Sequence, residues 1–432
     1  FLTDYTEEEL KGCVSRAYGH TFDDVRRAPV RMVGELEVLE LWHGPTSAFK
    51  DMALQLLPQL MSTARVKEGE RDTILILVAT SGDTGKAALE GFADAEGIRI
   101  MVFYPDGGVS PVQRLQMVTQ EGANVSVVAV RGNFDDAQRG VKEIFGDAAM
   151  AEELAALHTK LSSANSINWG RLVPQIVYYF SAYADLLADR KIEAGDAVNF
   201  TVPTGNFGNI LAGYYAKRMG LPVGKLVCAS NANNVLTDFL QTGIYDRKRD
   251  FYQTMSPSMD ILVSSNLERL LYHLTEDTAQ VAAWMQELKE DGKYDASALL
   301  SALRENFWAA FADDAATEEE IRAVYERTGY TLDTHTAVAY CAAEAYRNET
   351  GDTRPMVVLS TASPYKFGAS VLHALGETAD GMDEFAQMER LHARSGMAIP
   401  TRLAALHDAR VLHEGICEKT GMAAAVLTFA RA

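Results

Sequence analysis

The chain has 432 residues, enough for two or three domains that each bury a core. Apolar residues make up 47% and charged residues 23%, an ordinary globular balance, and no long Gly/Ser-rich or Pro-rich linker interrupts it. With 40 Lys and Arg against 59 Asp and Glu the net charge is −19, which argues against nonspecific nucleic-acid binding; an anionic small molecule would have to meet locally placed cations.

Along the chain, "LWHGPTSAFKDMALQLL" (41–57) places one cation, Lys50, between a Gly-Pro turn and a helical apolar pattern. A helix N-terminus opposes an ammonium there and favours the neutral amine. A lysine at such an exposed mouth is expected to add little to packing. "TILILVAT" (73–80) then reads as a buried parallel strand. It ends in Ser81-Gly82-Asp83-Thr84-Gly85, where hydroxyls, a carboxylate and free N–H groups meet at the start of a helix. Alone, this turn reads better as an ordinary capped helix. Further strands follow at 98–105 and 124–130, with amphipathic helices at 85–96, 111–121 and 135–160.

"SSANSINWGRLVPQ" (162–175) offers Ser166, Asn168 and Arg171 just before another helix, and the planar fork of an arginine suits phosphate. The strand at 197–203 runs into Thr204-Gly205-Asn206-Phe207-Gly208-Asn209. Its glycines let backbone approach a ligand, and successive N–H groups can form an anion nest. The loop is neither GxGxxG nor GxxxxGK[ST], so a small monophosphate fits better than a dinucleotide or nucleoside triphosphate. A strand at 225–230 follows, then the basic run Arg247-Lys248-Arg249 between two aspartates, read as a solvated loop. A helix-rich insert at about 266–350 precedes the strand at 355–360, which delivers Ser360 and Thr361 to its C-terminal end. The tail from about 380 is helical in pattern.

Alternation of this kind predicts an α/β protein with two parallel-sheet domains and helices on both faces. The expected division is a large domain of 1–72 and 176–432, including the insert and tail, and a smaller, mobile domain of 73–175. Four well-separated cysteines with no metal-ligand spacing fit a reduced, cytoplasmic setting without structural zinc. No apolar run spans a bilayer, no signal-peptide pattern opens the chain, and its first residue, Phe1, leaves the natural N-terminus open.

A lysine, a compact monophosphate loop and a strand-end hydroxyl together suit pyridoxal 5'-phosphate (PLP), whose aldehyde forms a Schiff base with a lysine amine. "HGPTSAFKD" (43–51), "TSGDTG" (80–85), "NSINWGR" (165–171), "TGNFGN" (204–209) and "LSTASPYKF" (359–367) resemble, in order, the motifs of the threonine synthase family. That family belongs to the PLP-dependent fold-type II group, which is tryptophan synthase β-like, and the resemblance covers about residues 5–380. It implies a lyase of threonine biosynthesis that converts O-phospho-L-homoserine and water into L-threonine and phosphate, as a monomer or homodimer. By position, Lys50 resembles the Schiff-base lysine and proton shuttle. Gly205, Asn206, Phe207, Gly208 and Asn209 resemble the loop around the cofactor phosphate. Thr361 resembles the neutral partner of the ring nitrogen. Asp83 falls where many relatives carry Asn near the cofactor 3'-oxygen. Ser81, Thr84, Ser166, Asn168 and Arg171 resemble the cradle for the substrate phosphate. His43 is read as a packing residue or as a support behind the residues that touch the ligand. The resemblance also implies that the departing phosphate assists as a base. Two departures stand out: Ser363 where many members have His, and no STRG-like or GGLY-like motif at the N-terminus. The rivals are a serine/threonine dehydratase or tryptophan synthase β-like enzyme, whose amino-acid substrate carries no phosphate, and a nonenzymatic homologue. A dehydrogenase is remote without GxGxxG.

Overall fold

A computed structural model describes residues 2–80 and 82–432. The chain divides into two compact units. One comprises residues up to Arg27, His43–Pro174 and Ile399–Ala432; the other comprises Ala28–Trp42 and Gln175–Ala398.

The first unit is built on a five-stranded, fully parallel sheet. Its strands lie in the order Gly415–Glu418, Val125–Arg131, Ile98–Pro105, Thr73–Ala79 and Thr159–Ser163. Strand alternation explains why "TILILVA" is apolar from Ile74 onward. Ile76 and Val78 enter a cluster with Ile100, Val102 and Phe92 on one face, whereas Leu75 and Leu77 join Met101, Phe103 and Val130 on the other. A strand covered on both faces has no polar side to show.

The second unit carries a six-stranded sheet ordered Val30–Val33, Leu36–Glu40, Met356–Ser360, Val198–Pro203, Val223–Ser230 and Phe307–Phe311. The first two strands form an antiparallel hairpin, turned at Gly34 with φ +59°, and every other pairing is parallel. Parallel sheets with helical crossovers are thus present in both units, as expected from the sequence.

The structure differs in detail from the sequence reading in three places. The boundary at 72/73 differs from the observed units, because 43–72 and 399–432 cluster with the first sheet. The cause is packing: Leu54 and Leu57 enter the core with Ile76 and Phe92. The tail strand Gly415–Glu418 pairs with Val125–Arg131, and Met422 and Val426 of its last helix fill the opposite core. Residues 159–163 form an edge strand, not the end of the helix expected at 135–160. Within the helix-rich insert at 266–350, Phe307–Phe311 adds the outer strand of the second sheet. Among the described residues, no helix is long and apolar enough to cross a membrane.

Candidate active site

In the first unit, Lys50 opens the five-residue helix Lys50–Leu54. The preceding loop is closed by the next residue along. Asp51 is fully buried and accepts the Thr46 backbone N–H at 2.8 Å and the Thr46 hydroxyl at 2.7 Å. Only glycine fits at position 44, where a Cβ would lie 2.5 Å from the Asp51 carboxylate. The Lys50 amine is consequently delivered from a rigid turn. Its Nζ sits 3.4 Å from Asp83 Oδ2, with the two side chains 12% and 4% exposed. The other Asp83 oxygen accepts from Gln113 Nε2 at 2.9 Å. The charge facing Lys50 is thus a buried carboxylate. This corrects the expectation that a helix terminus governs the amine, since five residues sum to little dipole. His43 pairs with Asp23 at 2.6 Å.

Asp83 and Thr84 begin the helix Asp83–Phe92. The turn before it is shaped by Thr80, whose hydroxyl accepts the N–H groups of Gly82 (3.0 Å) and Gly85 (2.9 Å). Ser81, expected at the substrate phosphate, lies outside the described residues. Ser166, Asn168 and Arg171 fall between the strand Thr159–Ser163 and the helix Trp169–Ala188 or in its first turn. Asn168 braces this junction: it donates to the Ser163 carbonyl at 2.9 Å and accepts the Gly170 N–H at 2.9 Å. Arg171 is 4% exposed, its guanidinium donates to the Ala164 carbonyl at 2.5 Å, and burial pushes its pKa down to about 10. A desolvated guanidinium is where a phosphate charge is felt most strongly.

In the second unit, the strand Val198–Pro203 ends in the loop 204–209 and the helix Gly208–Arg218 follows. Phe207 takes the left-handed conformation (φ +62°), is buried against Phe307 at 5.7 Å, and makes no side-chain cap on the helix. Loop carbonyls are turned back into the protein. Gly205 O accepts from the Ser264 hydroxyl at 2.7 Å, and Asn206 O accepts from Asn266 Nδ2 at 3.0 Å and from its N–H at 3.1 Å. Asn209 Oδ1 accepts from Tyr178 (2.5 Å) and Tyr179 (3.0 Å), while its buried Nδ2 has no hydrogen-bond partner among the described residues. With carbonyls engaged behind and donors left at the helix start, the loop fits a small phosphate monoester. Thr361, 6% exposed, follows the strand Met356–Ser360, whose end is tied by Trp42 Nε1 donating to Ser360 Oγ at 3.0 Å.

Gly205→Ala is a direct test of this packing. A Cβ there would sit 2.8 Å from the Ser258 carbonyl oxygen, so backbone must shift. The expected result is a PLP dissociation constant raised by at least about tenfold, read by titrating the apo-protein and following absorbance.

Asp51, Gln113, Tyr178, Tyr179, Ser264 and Asn266 support these groups but were not singled out from the sequence. Asp51 could have been noticed beside Lys50. The others act from distant segments that carry no local signature. Among the described residues no cluster of metal-ligating side chains occurs.

A family model described as pyridoxal-phosphate dependent enzyme matches residues 38–362, and one described as threonine synthase, C-terminal, matches 336–409. The chain is 42% identical over 382 residues to human threonine synthase-like 1, covering 86% of this chain and 51% of that protein. It therefore spans about half the length of that relative. It is 39% identical over 396 residues to threonine synthase of Saccharomyces cerevisiae, covering 85% of this chain and 75% of the yeast protein. The crystal structure of PLP-bound threonine synthase from Brucella melitensis matches with a TM-score of 0.86 at 39% identity, covering 100% of this chain and 87% of that one.

Proposed function

This chain belongs to the threonine synthase family of PLP-dependent, fold-type II enzymes, and on that premise we propose that it converts O-phospho-L-homoserine and water into L-threonine and inorganic phosphate. The observation that carries the reading is Lys50, one amine on a glycine-closed turn, held 3.4 Å from the buried Asp83 carboxylate.

When bound, PLP supplies an electron sink that acidifies the Cα–H of an attached amino acid. Lys50 would hold the cofactor through its amine and then move protons at Cα and Cβ of the substrate. Asp83, itself held by Gln113, would orient that amine. Gly205, Asn206, Phe207, Gly208 and Asn209 would hold the cofactor phosphate, and the Thr361 hydroxyl would face the ring nitrogen. Ser81, Thr84, Ser166, Asn168 and Arg171 would bind the substrate phosphate until it leaves Cγ and water adds at Cβ. The departing phosphate would accept a proton, consistent with the absence of any histidine from the proposed set. We further propose a cytoplasmic monomer or homodimer acting on this small substrate.

The test is incubation of the PLP-loaded protein with O-phospho-L-homoserine, measuring phosphate and threonine together. Equal release of both is expected. Deamination of serine or threonine without phosphate release from O-phospho-L-homoserine would assign the site to a dehydratase.

A further inference from the structure

Loop 204–209 is shaped by a turn more than 40 positions further along the chain. The Ser258 carbonyl oxygen and Met259 Cα would lie 2.8 and 3.4 Å from a Cβ at Gly205, so the Pro257–Met259 turn packs directly behind that glycine. A single 3-10 turn keeps its place only through outside contacts. Asn231 grips its flanks, donating from Nδ2 to Ser256 Oγ at 3.1 Å and to Asp260 Oδ1 at 2.8 Å. The N–H of Ser258 itself is taken by His335 Nε2 at 3.1 Å.

His335 is 3% exposed and stands in the first turn of the helix Thr334–Thr350, which Asp333 caps. Because Nε2 accepts a backbone N–H, it bears no proton; Nδ1 carries the hydrogen and faces Asp333 Oδ1 at 3.2 Å. Phe367 packs against the ring at 4.9 Å. The neighbouring Thr336 hydroxyl donates to Asp333 and lies within hydrogen-bond distance, 3.0 Å, of Ser360 Oγ at the end of the strand that precedes Thr361. One helix start thus braces both the turn behind the phosphate loop and the strand end beside it.

We propose that His335 is a positioning residue for the cofactor phosphate: through Ser258 it fixes the turn against which Gly205 is packed, and so sets the loop donors without touching the ligand. This inference rests on the reading of loop 204–209 as the PLP phosphate site. Asparagine at 335 can still reach Asp333 but stops short of Ser258, whereas the amide oxygen of glutamine falls near the position of Nε2. Apo-protein titrated with PLP should show a dissociation constant raised at least about tenfold in His335→Asn and within about threefold of the parent in His335→Gln. Equal affinity in His335→Asn, or equal losses in both variants, would overturn the proposal.

Should His335→Asn fail to fold, hydrogen exchange in the unmodified protein decides the matter without any turnover. PLP is expected to slow exchange in 256–261 together with 204–209. Protection confined to 204–209 would overturn the coupling. Unmodified protein that takes up no PLP would overturn the cofactor reading and the inference together, a result distinct from normal uptake with an indifferent His335.

Discussion

Lys50→Ala is expected to lower phosphate release by at least about 10³-fold, because the amine that holds the cofactor and the group that moves its protons are lost together. The variant also changes stability. Lys50 and Asp83 are 12% and 4% exposed, so the substitution removes the cation from a buried carboxylate that also accepts from Gln113. Loss of a buried charge partner costs on the order of 1–3 kcal/mol, seen as a lower urea midpoint. The sequence expectation that a lysine at an exposed helix mouth adds little to the fold therefore gives way to a buried ion pair. Lys50→Ala with near-normal phosphate release would remove Lys50 from the chemistry.

Arg171→Ala is the second large effect. The guanidinium is 4% exposed and desolvated, which strengthens its attraction for a phosphate dianion. Its removal should raise KM for O-phospho-L-homoserine by at least about 100-fold, near 2.7 kcal/mol, while the PLP dissociation constant moves less than about threefold. The same substitution takes the donor from the Ala164 carbonyl, so some stability is lost as well. Arg171→Lys separates the two roles: it keeps the charge and loses the fork, and an intermediate KM is expected. Equal loss of substrate and PLP affinity would assign Arg171 to the cofactor or to the fold.

The central strands could be read from the sequence because they are covered on both faces, so "TILILVAT", "IRIMVFYP" and "AVNFTVP" are mostly apolar, with only Thr73, Thr80, Arg99, Asn199 and Thr201 as polar members. Edge strands lacked that signal. Thr159–Ser163 and Gly415–Glu418 are short and largely exposed or half-buried; the interior strand Leu36–Glu40 was obscured instead by two glutamates that are buried beside Lys191 and Tyr330. The unit boundaries were not legible either, because they depend on where the tail docks, which no local pattern encodes. At the site, Lys50 and the loop 204–209 stood out through glycine and lysine placement. Their supports did not: Asn266 holds Asn206 from 60 residues away, and His335 holds Ser258 from 77. Partners at such separations leave no spacing to recognise in one sequence.

The attachment of PLP can be read directly by loading the protein with cofactor, reducing it with borohydride and mapping the modified peptide by mass spectrometry. A single phosphopyridoxyl group on Lys50 is the expected result. The same group on another buried lysine, such as Lys86 or Lys366, or no stable adduct at all, would contradict the proposed chemistry.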